Sequence, residues 1–488
     1  MSAEIDAFLE ALERAEYLAL SGQAESAGVE EIYDRHEGLF DAASFHAVEP
    51  PAGDSRDDLR RAHLREFLAE GIEGHRTRDL RDAYLAAEAA AVVEVDGEEI
   101  PYRRMPVRIR RESDRSVRVA LDKARVRTVE STLNPISLDM TLRRHEVARE
   151  LLDTDYDNYC RRLSGVDFDS LEQKTSALLA ETEDAYRDLM EHYGRRALPG
   201  LDLSGMWSHD LARLFHGEEW APLFPSEAMV PEIGRAVAEM GLDLTAEGRI
   251  EIDIEERPAK TPRAFCAPIR VPDEVKLVLQ PYGGHDDWST FLHELGHALH
   301  FAYVAPGQPL EFRRMGDNGV TEGWAMTFDH LMLLPSFLRR VAGIADPEEF
   351  LRFAAFRELA GLRRYAAKLS YERSLHREGP GPARAAEYVE RLSAATRARV
   401  PEGLWIEDVD PHYYCIRYLR AWMFAGTVHS ELRARFDEDW FLNPRTGPFL
   451  RELWSTGQEG RVEDLARESL GVPDLGFGPL MEMVDERI

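Results

Sequence analysis

Apolar residues recur at three- and four-residue intervals over long stretches of this chain. The spacing in residues 5–20, 57–72 and 80–95 predicts amphipathic helices, each with one stripe to bury. The same period returns at 139–163, 169–194, 208–216 and 226–241, and breaks at Pro50-Pro51, Pro199-Gly200 and Gly379 to Pro382. Two stretches read as extended. Residues 92–109, VVEVDGEEIPYRRMPVRI, carry Asp96-Gly97 as a hairpin turn. Residues 264–280 read as two short strands joined through Pro272-Asp273, where alternation of Val275, Leu277 and Leu279 predicts one wet face. The expected architecture is mostly α and two-lobed, with a small sheet just upstream of a helix at 288–303. We divide the chain into an N-terminal helical lobe, 1–200, and a second region, 201–488, with the lobes interleaved in one fold.

Composition narrows the class. At 488 residues the chain exceeds one simple core. Its 44% hydrophobic and 31% charged content is that of a globular protein. A net charge of −30 repels phosphate backbones and anionic lipid, so neither nucleic acid nor a membrane is an expected partner. Only five of the 60 basic residues are lysine, a bias that either a salt-rich habitat or a GC-rich genome would produce. The three cysteines, Cys160, Cys266 and Cys415, have no paired spacing, which argues against a disulfide framework or a cysteine-based zinc knot. The acidic, amphipathic N-terminus does not read as a signal peptide, and no stretch of about eighteen apolar residues offers a membrane span. The expected location is the cytoplasm.

The chemistry concentrates in WSTFLHELGHALHFAY, 288–303. On a helix, His293 and His297 project from one face a turn apart, which suits two imidazoles reaching one zinc at about 2.0–2.1 Å. Glu294 is offset by about 100° from His293 and can reach a water on the metal, where a general base belongs. Leu292, Leu295 and Leu299 give the helix apolar flanks, as expected beside a cleft rather than in solvent. A catalytic zinc takes three protein ligands. Glu322, in VTEGWAMTFDHLM, is the candidate third, 25 residues past His297 and after a glycine-containing loop that lets a second helix fold back. His300 competes for that place but lies about 10.5 Å along the helix axis from His293, and is read as a packing or supporting residue. Asp329, on the face of Glu322, either orients a histidine ligand or is a solvated helix carboxylate.

With those residues in view, the chain resembles the thimet oligopeptidase and oligoendopeptidase F group of zinc metallopeptidases. Four segments carry the resemblance in order: RAFCAPIRVPDEVKLVLQ, HELGHALH, the glutamate at 322, and DPHYYCIRYLRAWMFAG at 410–426. TEGWA and CIRYL are also similar to the angiotensin-converting enzyme family of the same helical clan. The resemblance implies a two-lobed helical fold with a deep central channel, one zinc per chain, and oligopeptide substrates. It implies that Glu294 activates the attacking water, and that Tyr418, assisted by His412, donates to the oxyanion. It also implies that an edge strand at Ala264, Phe265, Cys266 and Ala267 pairs with the substrate backbone, giving broad specificity.

This chain departs from the group in one segment. Arg417, Arg420 and Trp422 interrupt the tyrosine series, so Tyr413, Tyr414 and Tyr418 also read as core aromatics, and Arg417 reads as a salt-bridge partner. Two other readings compete. One is a zinc carboxypeptidase of the Taq type, which TEGWA suits poorly. The other is a helical binding protein without chemistry, in which Glu294 or a ligand would have been lost.

Overall fold

The computed structural model describes every residue except Met1, Asp96 and Pro258. Over the described residues the fold is mostly α with two small sheets. Its chain divides into two compact units taken in alternating segments. The first comprises 1–69, 218–355 and 417–487; the second comprises 70–217 and 356–416 together with Ile488. Among the described residues no helix is long and apolar enough to cross a membrane.

Local chemistry sets several element ends. The stretches 57–72 and 80–95 belong largely to one helix, Arg56–Ala90. Residues 139–163 form two, Asn134–Leu152 and Tyr156–Ser164. Asp153 closes the first in the left-handed region, and Asp155 caps the second by accepting from Asn158 N–H at 2.9 Å. Residues 169–194 likewise divide, into Phe168–Glu181 and Glu183–Ala197.

The extended reading of 92–109 needs correcting past Pro101. Strands β1 (Val92–Val95) and β2 (Glu98–Pro101) pair antiparallel, while the expected turn residue Asp96 lies outside the described residues. The chain then enters a helix, Met105–Arg111, with proline near its start. Met105 and Ile109 are four apart and both buried in the second unit against Val93, Ile100 and Leu121. Helical spacing of these two anchors overrode the apparent alternation.

In the first unit a three-stranded sheet stands beside the histidine helix, His285–Ala302. Its strands are β3 (Ile250–Asp253), β4 (Phe265–Arg270) and β5 (Glu274–Val278), in the order β3-β5-β4. The β4–β5 pair is antiparallel; β3, which the sequence reading missed, runs parallel to β5 on its other side. The buried Lys260 ammonium donates to the carbonyls of Asp253, Glu255 and Leu279 at 2.9, 2.9 and 3.0 Å, pinning the ends of β3 and β5. The face expected to be wet is covered. Tyr17 of the helix Ser2–Leu20 packs there with Ala267, Ile269 and Val278, and lies under the Lys276 ammonium at 5.6 Å. The sheet therefore has an apolar contact on both faces, and its second cover comes from a distant part of the chain.

Candidate metal centre

β5 leads into the histidine helix through Gly283 and Gly284, both at positive φ, a turn that residues with a Cβ enter only under strain. The carboxylate of Asp287 accepts from the backbone N–H groups of Tyr282 and Gly283 at 2.6 and 2.5 Å and fixes the entry. Phe291, Leu292, Leu295 and Leu299 are at most 1% exposed, which locks the helix rotation.

Glu322 arrives on a second helix, Asn318–Asp329. Asp317 caps it, accepting from Gly319 N–H at 2.9 Å, and also receives Arg420 at 3.0 and 2.7 Å. Burial opposes the Asp317 charge, but the Arg420 guanidinium outweighs it and lowers the carboxyl to about 2. The two helices cross at Gly296, the glycine inside the HELGH motif. A Cβ at that position would meet Ala325 Cα and Trp324 O, each at 2.6 Å. Closeness at Gly296 is what lets Glu322 reach the histidines.

One ligand atom from each of His293, His297 and Glu322 lies within 4.8 Å of the other two. The Nε2 atoms of His293 and His297 are 3.4 and 3.6 Å from Glu322 Oε2. Ligand bonds of about 2.0–2.1 Å at tetrahedral angles put neighbouring donor atoms roughly 3.3 Å apart, so the set fits one zinc ion. The far nitrogens are held as well. His293 Nδ1 donates to the Asp329 carboxylate and His297 Nδ1 shares a hydrogen bond with Thr321 Oγ1, both at 2.8 Å. With Nδ1 committed, each ring turns Nε2 toward Glu322, and Nε2 is the atom that would take the ion on giving up its proton. The sequence reading named Asp329 for this and missed Thr321, whose only signal is its position directly before Glu322.

Electrostatics agree with a cation. Burial disfavours ionised Glu322, yet His297 and His293 hold its carboxyl below the usual carboxylate range. Burial likewise disfavours a charged His293, but its hydrogen bonds to Asp329 and Glu322 hold it well above the ordinary imidazole range. Two imidazoles thus sit among the carboxylates of Glu322, Asp329 and Glu294, an excess of negative charge that a divalent ion neutralises.

The other sequence candidates fall as follows. Glu294 is 9% exposed. Cys266 pairs with Leu277 and so points to the face opposite Ala267; burial and the nearby Glu294 carboxylate push its thiol well up. Ala264 precedes β4, and Phe265, Cys266 and Ala267 open it, on an edge of the sheet. His300 is a neutral core histidine: burial lowers it to about 3, and its Nε2 lies 3.3 Å from Gly457 O. Tyr418 is half-buried with its ring 6.3 Å from that of Trp422, and Arg417 pairs with Glu66 at 3.4 Å. His412 belongs to the second unit, where its Nε2 lies 3.1 Å from Glu73 Oε2.

No model of a known protein family matches the chain, and no curated protein matches it. The fold is nonetheless one already seen in a crystal structure. A protein described as a "putative Oligoendopeptidase F" superposes over 99% of this chain and 89% of its own, with a TM-score of 0.72 at 15% identity.

Proposed function

We propose that this chain is a zinc-dependent peptidase of the thimet oligopeptidase and oligoendopeptidase F kind, acting on oligopeptides. The observation that carries the reading is the His293–His297–Glu322 set, with donor atoms 3.4 and 3.6 Å apart and both far nitrogens anchored. The fold it shares with a crystal structure described as an oligoendopeptidase F supports the same class.

Bound zinc supplies Lewis acidity, polarising a peptide carbonyl and making water nucleophilic at neutral pH. His293, His297 and Glu322 would hold the ion, with Asp329 and Thr321 fixing the orientation of the two rings. Glu294 takes the proton from the attacking water and passes it to the leaving amine. A substrate strand lies along Ala264–Ala267, on the sheet edge whose Cys266 thiol feels the Glu294 charge. Tyr418, in the same unit as the metal set, donates to the oxyanion.

The test uses internally quenched peptides with blocked C-termini, together with metal analysis. We expect one zinc per chain and internal cleavage. Replacing Glu294 by Gln should abolish turnover with zinc retained. Absence of zinc binding, or full activity in the Glu294→Gln variant, would overturn the reading; hydrolysis confined to free C-termini would make it a carboxypeptidase.

A further inference from the structure

In the first unit the helix Ser2–Leu20 packs across β4, and it carries an unpaired carboxylate on the side of that strand. Tyr17 sets the rotation of the helix by packing with Ala267, Ile269 and Val278. At about 100° per residue, Arg14 and Glu13 fall on opposite sides of Tyr17, by about 60° and about 40°. Arg14 takes the side of β5, where its guanidinium donates to both oxygens of Glu274, the first residue of that strand, at 3.0 and 2.9 Å. Glu13 therefore takes the side of β4, the edge strand. The Cys266 thiol feels the charges of both Glu294 and Glu13, so Glu13 stands along the same stretch of β4 as the base.

Glu13 is partly buried, and among the described residues it has no hydrogen bond or ion pair. Arg314, whose charge favours the ionised form, is committed elsewhere. Its Nη1 donates to Ile269 O at 2.9 Å and lies 3.8 Å from Asp6 Oδ1. Burial outweighs Arg314 and, with repulsion from Glu16, pushes the Glu13 carboxyl up to about 7. A carboxylate so placed lacks a cation that touches it, and the strand edge beside it is where the substrate is proposed to lie.

We propose that Glu13 is a specificity-determining residue that receives a lysine or arginine side chain of the peptide laid along Ala264–Ala267. Neighbouring residues of a strand point to opposite faces, so only alternate substrate side chains turn toward the helix. Cys266 marks the stretch shared with Glu294, so the favoured position falls within about two residues of the cleaved bond. The incoming cation supplies the missing partner in a partly buried site, where a charge-assisted hydrogen bond is stronger than in open solvent. The proposal deepens the peptidase reading and rests on it for the identity of the substrate strand.

The experiment uses full-length zinc-loaded protein and internally quenched peptides with blocked ends. Each peptide carries lysine, glutamine or glutamate at one position, walked along both sides of the cleaved bond. Wild type should favour lysine over glutamine at least about tenfold in kcat/KM at one position. Glu13→Gln should erase that preference, with zinc content unchanged and the glutamine peptides within about twofold of wild type. Glu13→Lys should favour glutamate at the same position; should it not fold, Glu13→Gln decides alone. The chain's charge of −30 attracts cations at every position. A lysine preference without positional focus would therefore overturn the proposal, as would one that survives Glu13→Gln or a variant that slows every peptide alike. Calorimetric titration of the same peptides into Glu294→Gln protein, with and without Glu13→Gln, measures the preference without turnover. If the wild type cleaves none, the peptidase reading fails; equal affinity for lysine and glutamine peptides fails Glu13 alone.

Discussion

Replacing Gly296 by alanine tests the helix crossing that builds the metal centre. The added Cβ would lie 2.6 Å from Ala325 Cα and Trp324 O, against an ordinary contact of 3.4 Å or more, so the two helices must part by the difference, 0.8 Å. Trp324 is two residues beyond Glu322, and both are buried on a rigid helix, so the carboxylate moves with the backbone. Donor separations of 3.4 and 3.6 Å then lengthen toward 4 Å or more, beyond the roughly 3.3 Å that one zinc needs. Overpacking of this kind costs about 1–3 kcal/mol, from which the better helix propensity of alanine returns about 1 kcal/mol. Net destabilisation of about 1 kcal/mol leaves the protein folded while zinc affinity drops about 10- to 100-fold, the range seen when ligand orientation is lost. The assay is competition with a chromophoric chelator, with thermal unfolding of the metal-free protein alongside. Gly307→Ala, where nothing lies within 4 Å of the new Cβ, is the control and should change neither. Wild-type zinc affinity in Gly296→Ala would refute the claim that this crossing sets the ligand geometry.

Other outcomes follow from the same structure. Asp329→Ala and Thr321→Ala should each weaken zinc about 10- to 100-fold by freeing one Nδ1, measured by the same competition; a variant with unchanged affinity would show that ring is held otherwise. Asp317, with its folded carboxyl lowered to about 2 from an ordinary 3.8, contributes about 2 kcal/mol of stability. Because the folded value is the lower one, that contribution is complete above pH 3.8 and fades as pH falls toward 2; denaturant unfolding of Asp317→Asn should show a shallower loss across that window. Lys260→Met should destabilise the first unit by about 3–5 kcal/mol, since it leaves the Asp253 carboxylate and three carbonyls short of a buried donor. Calorimetry showing less than about 1 kcal/mol would mean Arg257, also paired with Asp253, suffices alone.

Periodicity along the chain determined the helical class, the histidine helix and the presence of a glutamate at the right remove, because each is written within a few turns of sequence. His293 and His297 share a face by helical geometry alone, and Glu322 stands in the first half of the next amphipathic run. The β4–β5 pair was legible for the same reason. Where long-range contact competes with local pattern, the sequence was silent or misleading. Met105–Arg111 alternated like a strand and folded as a helix because its two apolar anchors found the same core. The sheet face that read as wet is covered by the helix at Ser2–Leu20, some 250 residues upstream. The close approach at Gly296, the Thr321 hydroxyl on His297 and the Glu73 carboxylate on His412 depend on which surfaces meet. Spacing fixes what one element can offer to a metal; packing between elements fixes whether the offers converge within a bond length.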